Sequence, residues 1–127
     1  MIPETIIARG AEAILIQKDN ELIKRRVKKS YRIKEIDDKL RKLRTRSEGK
    51  IIEKLWGKIN VPRIIKVDEK NKEIEEEFIE GKKLSEFLDS FSLNEQEKIC
   101  EEIGKQVAKM HDLNIIHGDL TTSNMIF

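Results

Sequence analysis

Apolar and polar residues follow a short-range, strand-like pattern over the first part of the chain. Three β-prone runs cover residues 6–8, 13–17 and 21–25, each bounded by polar or turn-forming residues. Asp19 and Asn20 separate the second run from the third, and such a pair favours a tight turn. Residues 5–27 are therefore predicted to form a β-meander.

Beyond the β-prone runs, apolar positions recur every three to four residues. From about residue 31 to residue 59, apolar side chains recur at helical spacing: Ile33, Ile36, Leu40, Leu43, then Ile52, Leu55 and Ile59. The pattern predicts one long helical region, with Trp56 packed against the sheet. Gly49 lies between the two sets and indicates a break or a change of face. Val61-Pro62 ends the region, because proline disfavours helix in the residue before it.

Two further strands and three helical or strand-like pieces are predicted in the remainder. Residues 64–67 and 73–79 read as strands around a polar turn, and residues 84–89 suit a short helix. Ser92 and Glu95 have the spacing of a capping box and open a helix with an apolar face: Ile99, Ile103, Val107 and Met110. Residues 115–116 are predicted as a short strand. The fold class is α+β, with an antiparallel sheet and long helix in residues 1–80 and helices in residues 81–127.

The composition indicates the cellular compartment and shows an uneven distribution of charge along the chain. Cys100 is the single cysteine, which excludes a disulfide framework and fits a reducing cytoplasm. No apolar run reaches the length of a membrane span, so no membrane association is expected. Between Lys24 and Lys50 there are thirteen Lys or Arg residues against four acids. This basic block predicts contact with nucleic acid or with an acidic protein, and a solvated helix face is an equal alternative.

The end of the chain carries the most specific chemical pattern. Residues 117–124 read His-Gly-Asp-Leu-Thr-Thr-Ser-Asn, which matches the catalytic loop of protein kinases, H-R-D-L-x-x-x-N, with Gly118 in place of arginine. Phosphoryl transfer needs a carboxylate beside the attacking hydroxyl and an oxygen ligand for magnesium a few residues later. Asp119 is the candidate for the first role and Asn124 for the second.

Lys24 stands where kinases place the lysine that pairs with the nucleotide phosphates. It follows the apolar pair Leu22-Ile23 at the end of the third predicted strand, as in the V-A-I-K pattern. In kinases this lysine is paired with a glutamate on the following helix. Glu48 is the first candidate for that partner, and Glu53 is the second, because the phase of the helix is not fixed by the sequence.

Two weaker segments complete the predicted nucleotide site. Gly10, Ala11, Glu12 and Ala13 lie between the first two strands, where a glycine-rich loop would cover the phosphates, although a simple turn is also compatible. Glu77 and Ile79 lie in the segment whose backbone would bind adenine, and an ordinary edge strand is the alternative. Glu76 stands where an apolar gatekeeper residue is usual.

These motifs together resemble a known family. The sequence is similar to the small atypical kinases of the KEOPS (EKC) complex, which are PRPK-type relatives of the RIO kinases. The resemblance rests on the residue 117–124 loop, on the residue 9–13 segment, and on Lys24 with the basic residues after it. It covers essentially the whole chain.

The resemblance implies a function, cofactors and partners. It implies an ATP- and Mg²⁺-dependent kinase or ATPase with Ser/Thr autokinase-type chemistry, which supports threonylcarbamoyladenosine modification of tRNA. Asp119 would be catalytic, Asn124 would bind metal, and Lys24 with Glu48 would hold phosphate. The implied partners are a Cgi-type small subunit on the N-lobe and a TsaD-like subunit that docks mainly on the C-lobe. A contact with tRNA through the basic block between Lys24 and Lys50 is also expected.

The sequence also departs from the family. An Asp-Phe-Gly element and a basic tail are expected after Phe127 and are not part of this chain. The Asp of that element is the principal magnesium ligand, so little catalysis is expected from these residues alone, whereas an N-lobe partner should still bind. Two other functions stay open: a free-standing protein or small-molecule kinase, and a non-enzymatic tRNA- or protein-binding module.

Overall fold

A computed structural model of the chain describes residues 3–116 and 125–126. The described part contains strands β1 (Glu4–Arg9), β2 (Ala13–Lys18), β3 (Glu21–Arg26), β4 (Ile64–Asp68) and β5 (Glu73–Glu77). Its helices are α1 (Lys34–Leu55), α2 (Leu84–Phe87), followed by a 3-10 turn at Leu88–Ser90, and α3 (Leu93–Asp112). The predicted α+β class is confirmed.

The described strands form one antiparallel sheet in the order β1-β2-β3-β5-β4. Strand β3 is central, and its residues pair with β2 on one side and β5 on the other. Asp19 has a positive φ of 56° in the β2–β3 turn, a conformation that aspartate tolerates better than most residues. The predicted meander is confirmed. The fifth strand ends at Glu77, two residues earlier than predicted.

The chain divides into two compact units. One contains the residues up to Trp56 together with Val61–Phe78, and the other contains Gly57–Asn60 and the residues from Ile79 onward. In the first unit the buried apolar residues are Ile16, Ile23, Leu55 and Ile74, and in the second they are Leu84, Ile99 and Met110. The boundary between two kinase lobes at residue 80 stays a prediction.

Helix α1 differs most from its sequence pattern. Ile33, Ile36 and Leu43 are exposed, whereas the buried positions are Asp37, Thr45, Gly49 and Leu55. The helix is also shorter than predicted, and Trp56 is an exposed residue at its end instead of an anchor against the sheet. Of the four buried positions of α1, only Leu55 has a large apolar side chain, and the other three are an ion-paired aspartate, a threonine and a glycine.

Gly49 is a point of close helix–strand packing, and the predicted break is wrong. Helix α1 passes through it without interruption. A Cβ atom built on Gly49 would lie 2.7 Å from Cγ2 of Val67 in β4, closer than real side chains approach each other. The residue is glycine because the helix lies directly on the strand here.

Gly49→Ala is expected to destabilise the first unit, although alanine favours helix by roughly 0.5–1 kcal/mol. The new methyl group would overlap Val67 at 2.7 Å, and such overpacking costs roughly 1–3 kcal/mol. Gly104→Ala in α3 is the matched control, since nothing lies within 4 Å of its added Cβ and it should stabilise the chain. Urea unfolding of both variants measures the difference. A Gly49→Ala chain as stable as Gly104→Ala would contradict the close packing.

Helix α3 follows its sequence pattern. The Ser92 hydroxyl accepts a hydrogen bond from the Glu95 backbone N–H at 3.2 Å, which confirms the hydroxyl half of the predicted capping box. Ile99 and Met110 are buried on the predicted apolar face. The predicted strand at residues 115–116 is wrong, because these residues are not in a strand and Ile116 is exposed. No helix in the described part is long and apolar enough to cross a membrane.

Candidate functional site

Lys24 and Glu48 are brought together by the packing of α1 on the sheet. Lys24 lies on the central strand β3, opposite Leu15 of β2 and Ile74 of β5. Its ammonium group donates to Oε1 of Glu48 at 2.5 Å, across 24 residues of sequence. The Lys24 side chain keeps about a third of its surface accessible, at 34%. The pairing predicted from the sequence is present, and Glu53, the second candidate, is exposed on α1.

Arg26 is a second cation on the same carboxylate. Its Nη2 donates to Oε2 of Glu48 at 3.0 Å, while Lys24 uses the other oxygen. The Arg26 side chain is more buried than that of Lys24, at 17% exposed. Sequence reasoning missed this residue. The available signal was its spacing, because residues two apart on a strand face the same side of the sheet.

Asp37 fixes the first turns of α1 to the segment that follows β3. Its carboxylate accepts from Nε of Arg41 at 2.8 Å, from Nη1 of Arg32 at 3.3 Å and from the backbone N–H of Lys29 at 3.3 Å. Burial alone would raise the pKa of the Asp37 carboxyl, but these hydrogen bonds, that of Arg41 foremost, hold the pKa below its ordinary value. The carboxylate is therefore charged and fully enclosed. Sequence reasoning missed this network too.

The β1–β2 loop, where Gly10, Ala11, Glu12 and Ala13 were predicted to cover phosphates, is tied to the end of β3. The Gly10 N–H donates to the Ala13 carbonyl at 2.9 Å, and the Val27 N–H donates to the Glu12 carbonyl at 2.9 Å. The Lys29 ammonium group donates to the Ala11 carbonyl. This loop is thus held from two sides by backbone and lysine contacts, and its ATP-binding role stays a prediction.

The end of β5 carries two neighbouring carboxyl groups in different surroundings. Glu77 is engaged with the start of β4, where its Oε1 accepts from the Arg63 N–H at 2.9 Å. Glu76 is buried at 8% exposure, beside Leu22 and Ile64 in the sheet. Burial raises the pKa of Glu76 to about 7. Attraction by Lys24 acts in the opposite direction, whereas repulsion by Glu48 and Glu77 raises the pKa further. An acid with this pKa is half-ionised near neutral pH.

Two predicted residues lie outside the described part of the chain. These are the catalytic candidate Asp119 and the metal-ligand candidate Asn124, both in residues 117–124. Ile79 is described and exposed, as the first residue of the second unit after Phe78. Within the described residues no group of three or more His, Cys, Asp or Glu side chains could hold a metal ion.

The donor set on β3 fits the phosphates of a nucleotide. Lys24 presents a partly exposed ammonium group, and Arg26 places a guanidinium beside it on the same face of the sheet. Cations fixed by a carboxylate in this way attract and orient phosphate oxygens. Glu12, which is exposed on the β1–β2 loop, is 3.8 Å from Arg44. Among the described residues it forms no ion pair with Lys24 or Arg26.

Comparison with known proteins identifies relatives over almost the whole chain. It is 47% identical over 133 residues to the KEOPS complex subunit Bud32 of Pyrococcus abyssi, covering 95% of this chain and 60% of that protein. It is 42% identical to the EKC/KEOPS complex subunit BUD32 of Enterocytozoon bieneusi, covering 96% of this chain and 65% of the relative. A probable bifunctional tRNA threonylcarbamoyladenosine biosynthesis protein of Methanobrevibacter smithii is 44% identical, and 23% of its length is covered. The chain thus spans less than two thirds of each of these relatives.

A solved structure and a family model agree on the fold. The ternary complex of APH(2")-IIa with streptomycin and ATP matches 92% of this chain and 36% of its own, with a TM-score of 0.57 and 12% identity. At that identity the likeness shows a shared kinase-like fold alone. The model of the RIO domain matches residues 15–127. The chain therefore belongs to the RIO domain family of atypical kinases and is a homologue of the KEOPS subunit Bud32.

Proposed function

We propose that this chain is the ATP-binding part of a KEOPS-type kinase or ATPase subunit that supports threonylcarbamoyladenosine modification of tRNA. One observation carries the proposal: a partly exposed lysine on the central strand paired with a glutamate of the long helix, Lys24 Nζ to Glu48 Oε1 at 2.5 Å. The relatives that share the sequence are named as KEOPS subunits or tRNA threonylcarbamoyladenosine biosynthesis proteins. The first of these supports does not involve the residue 117–124 loop.

In this proposal each residue has a stated task. Lys24 holds nucleotide phosphate, Glu48 fixes the lysine, and the backbone of residues 10–13 lies over the phosphates. Asp119 orients the hydroxyl or water that attacks, and Asn124 binds Mg²⁺, which would neutralise charge on the transferred phosphoryl group. Glu77 and Ile79 contribute backbone groups to adenine binding. The Glu77 side chain is not required for this, because it is engaged by the Arg63 N–H.

Lys24→Met is expected to weaken ATP binding by at least about tenfold, because it removes the charge-assisted hydrogen bond to phosphate. Adenosine, which has no phosphate, should bind with nearly unchanged affinity. Isothermal titration of the 127-residue chain with ATP and with adenosine measures both constants. Arg25→Met is the control: Arg25 adjoins Lys24 but is paired with Glu73 at 2.5 Å. If Lys24→Met bound ATP like the control, Lys24 would not be the phosphate ligand.

A tRNA contact through the basic block between Lys24 and Lys50, together with neighbouring Lys70 and Lys72, is a second part of the proposal. Most of the block is engaged: Lys24, Arg25, Arg26, Arg32, Arg41, Arg44 and Arg46 have ion pairs. Lys39, Lys42 and Lys70 form none with the residues that are described. With Arg46, Lys72, Asp38 and Glu69 they line a surface concavity of about 730 Å³. Five cations against two carboxylates favour phosphate as the ligand of this concavity.

Lys39→Ala with Lys42→Ala is therefore expected to lower the salt dependence of tRNA binding by about two units in the slope of log K against log [salt]. Filter binding at several salt concentrations gives the slope. The control pair, Lys98→Ala with Lys105→Ala on α3, should leave the slope unchanged. Equal slopes for the wild type and the Lys39/Lys42 variant would remove the concavity from the proposal.

The protein partners are proposed from the similarity of this chain to KEOPS subunits. A Cgi-type small subunit would bind the first unit, and a TsaD-like subunit would bind mainly the second. Ile33, immediately before α1, and Ile36 in its first turn are 66% and 51% exposed. Exposed apolar side chains that lie together can mark a protein interface, and this pair supports the first partner. Copurification of either subunit with this chain is the observation that tests the assignment.

A further inference from the structure

Lys29 connects the β1–β2 loop to a buried carboxylate of α1. Its backbone N–H donates to Oδ1 of Asp37 at 3.3 Å, and its ammonium group donates to the Ala11 carbonyl, 18 residues away in sequence. The neighbouring Lys28 is exposed, and its side chain forms no hydrogen bond or ion pair with the described residues. Of these two adjacent lysines, Lys29 is therefore the one that contacts the loop in the described part of the chain.

The Asp37 end of this connection is fixed in place. The Asp37 side chain is fully buried, and it also accepts from Nε of Arg41 at 2.8 Å and from Nη1 of Arg32 at 3.3 Å. A buried carboxylate with several donors has little freedom to move, because displacement would leave its charge uncompensated. The backbone of Lys29 is thus anchored on α1, and its side chain extends from this fixed point to the loop.

The other end of the connection determines the direction of a peptide group. The Ala11 and Glu12 carbonyls accept hydrogen bonds from the Lys29 ammonium group and from the Val27 N–H. The described part of the chain contains no cis peptide bond, and in a planar trans peptide the carbonyl and the following N–H point in opposite directions. Because Lys29 holds the Ala11 carbonyl, the Glu12 N–H points away from Lys29. That N–H has no acceptor among the described residues.

A backbone N–H with a fixed direction and no acceptor is suited to an anionic oxygen. Backbone N–H groups in loops bind phosphate in many proteins. Affinity is higher when the loop already has its bound conformation, because less conformational entropy is then lost on binding. The β1–β2 loop is exposed at residues 10–12, so without the lysine contact the ligand itself would have to order this peptide group.

We propose that Lys29 is a positioning residue that orients the peptide group between Ala11 and Glu12, so that the Glu12 N–H can bind a phosphate oxygen of the nucleotide. The Lys29 ammonium group acts on the Ala11 carbonyl and does not contact the phosphate. This inference rests on the proposed function, since it requires residues 10–13 to lie over the phosphates. The ion pair between Lys24 and Glu48 is unchanged by it, and no covalent bond or proton is transferred.

The order of the loop in the nucleotide-free chain tests the proposal directly. Lys29→Met should lower the ¹⁵N order parameter of the Glu12 amide from about 0.85, typical of rigid backbone, to about 0.6 or below. Lys28→Met is the matched control, because it removes the same charge one residue away without removing a contact with the loop. It should leave the order parameter unchanged. An order parameter for Glu12 that is the same in Lys29→Met and in the wild type would overturn the proposal.

The affinities for ATP and adenosine give the functional readout. Lys29→Met should weaken ATP binding by about fivefold, because the ligand must then order the loop, and should change adenosine affinity by less than about twofold. The adenosine result also shows that the variant is folded. Lys28→Met should match the wild type for both ligands in isothermal titration. A loss of ATP affinity in Lys29→Met without loss of loop order would indicate a direct phosphate contact and would overturn the positioning role.

Failure of the inference and failure of the proposed function give different results. If the wild-type chain binds ATP no more tightly than adenosine, the proposed function fails, and the inference fails with it. In the other case the wild type prefers ATP and Lys24→Met abolishes the preference. If Lys29→Met then keeps the wild-type preference although its loop is mobile, the function stands and the positioning role of Lys29 is wrong.

Discussion

Glu76→Gln is expected to stabilise the folded chain by roughly 2–3 kcal/mol at pH 8 and to change its stability little at pH 4. The carboxyl group is buried in the sheet, and its pKa rises from 4.5 to about 7 in the folded chain. Glutamine resembles the protonated acid in shape and polarity and cannot ionise. The variant therefore removes the cost of burying a charge only where that charge exists.

The sign of the pH dependence follows from which state binds the proton more tightly. The folded-state pKa of Glu76 lies above its unfolded-state value. Ionisation therefore opposes folding, and wild-type stability falls as the pH rises from about 4.5 to about 7 and stays reduced above that. Chemical unfolding of the wild type and Glu76→Gln at pH 4, 6 and 8 measures the difference. Glu75→Gln, the next residue on β5 and facing the other side, is the control and should stay within about 0.5 kcal/mol of the wild type at each pH.

A stability gain for Glu76→Gln that is the same at pH 4 and pH 8 would contradict this account. The position also has a functional meaning under the proposed function. It is where kinases usually carry an apolar gatekeeper, and Lys24 and Glu48 both act on the charge of the Glu76 carboxyl. A proton on this carboxyl therefore changes the field at the lysine that is proposed to bind phosphate.

Asp37→Asn is expected to produce the largest loss of stability, lowering the unfolding midpoint by about 10 °C or more. The substitution keeps the shape of the side chain but removes the charge on which Arg41 and Arg32 converge. Arg32 and Nε of Arg41 then lose their carboxylate acceptor while largely enclosed, and Arg41 keeps only its contact with Asp38 through Nη2. Thermal unfolding followed by circular dichroism at 222 nm measures the change.

Asp38→Asn is the matched control for Asp37→Asn. Asp38 also accepts from Arg41, at 2.7 Å, but its side chain is 40% exposed, so water replaces the lost contact. Its midpoint should fall by no more than about 2 °C. Similar losses in the two variants would show that enclosure is not what makes Asp37 important. The contribution of Asp37 should also be present above pH 3.8 and be lost as the pH falls further, because its folded-state pKa is lowered.

The sequence was sufficient where local patterns and strong motifs agree. The order of strands and helices, the cap at Ser92 and the apolar face of α3 all followed from spacing and residue type. The pairing of Lys24 with Glu48 also followed, because kinases fix the two roles on known elements. These features depend on neighbours in sequence or on a motif with a mechanical reason.

The buried face of α1 could not be predicted in the same way. Apolar periodicity pointed to Ile33, Ile36 and Leu43, yet the structure buries Asp37, Thr45 and Gly49. Burial of Asp37 becomes favourable only when Arg32, Arg41 and the Lys29 N–H converge on it. A pattern of single residues contains no information about such convergence. For the same reason the contact of Arg26 with Glu48 was not predicted.

The contact between Gly49 and Val67 has a consequence for the candidate site, because it allows α1 to lie close to the sheet. Gly49 lies against Val67 of β4, and Glu48 directly precedes it in α1. We therefore expect the distance between α1 and the sheet at this point to affect how closely the Glu48 carboxylate approaches Lys24. The absence of a side chain at position 49 is therefore expected to affect the Lys24–Glu48 ion pair, although Gly49 contributes no atom to that pair. For protein engineering, we expect Gly49→Ala to move α1 away from β4 and to lengthen the contact between Glu48 and Lys24, while no charged residue is changed.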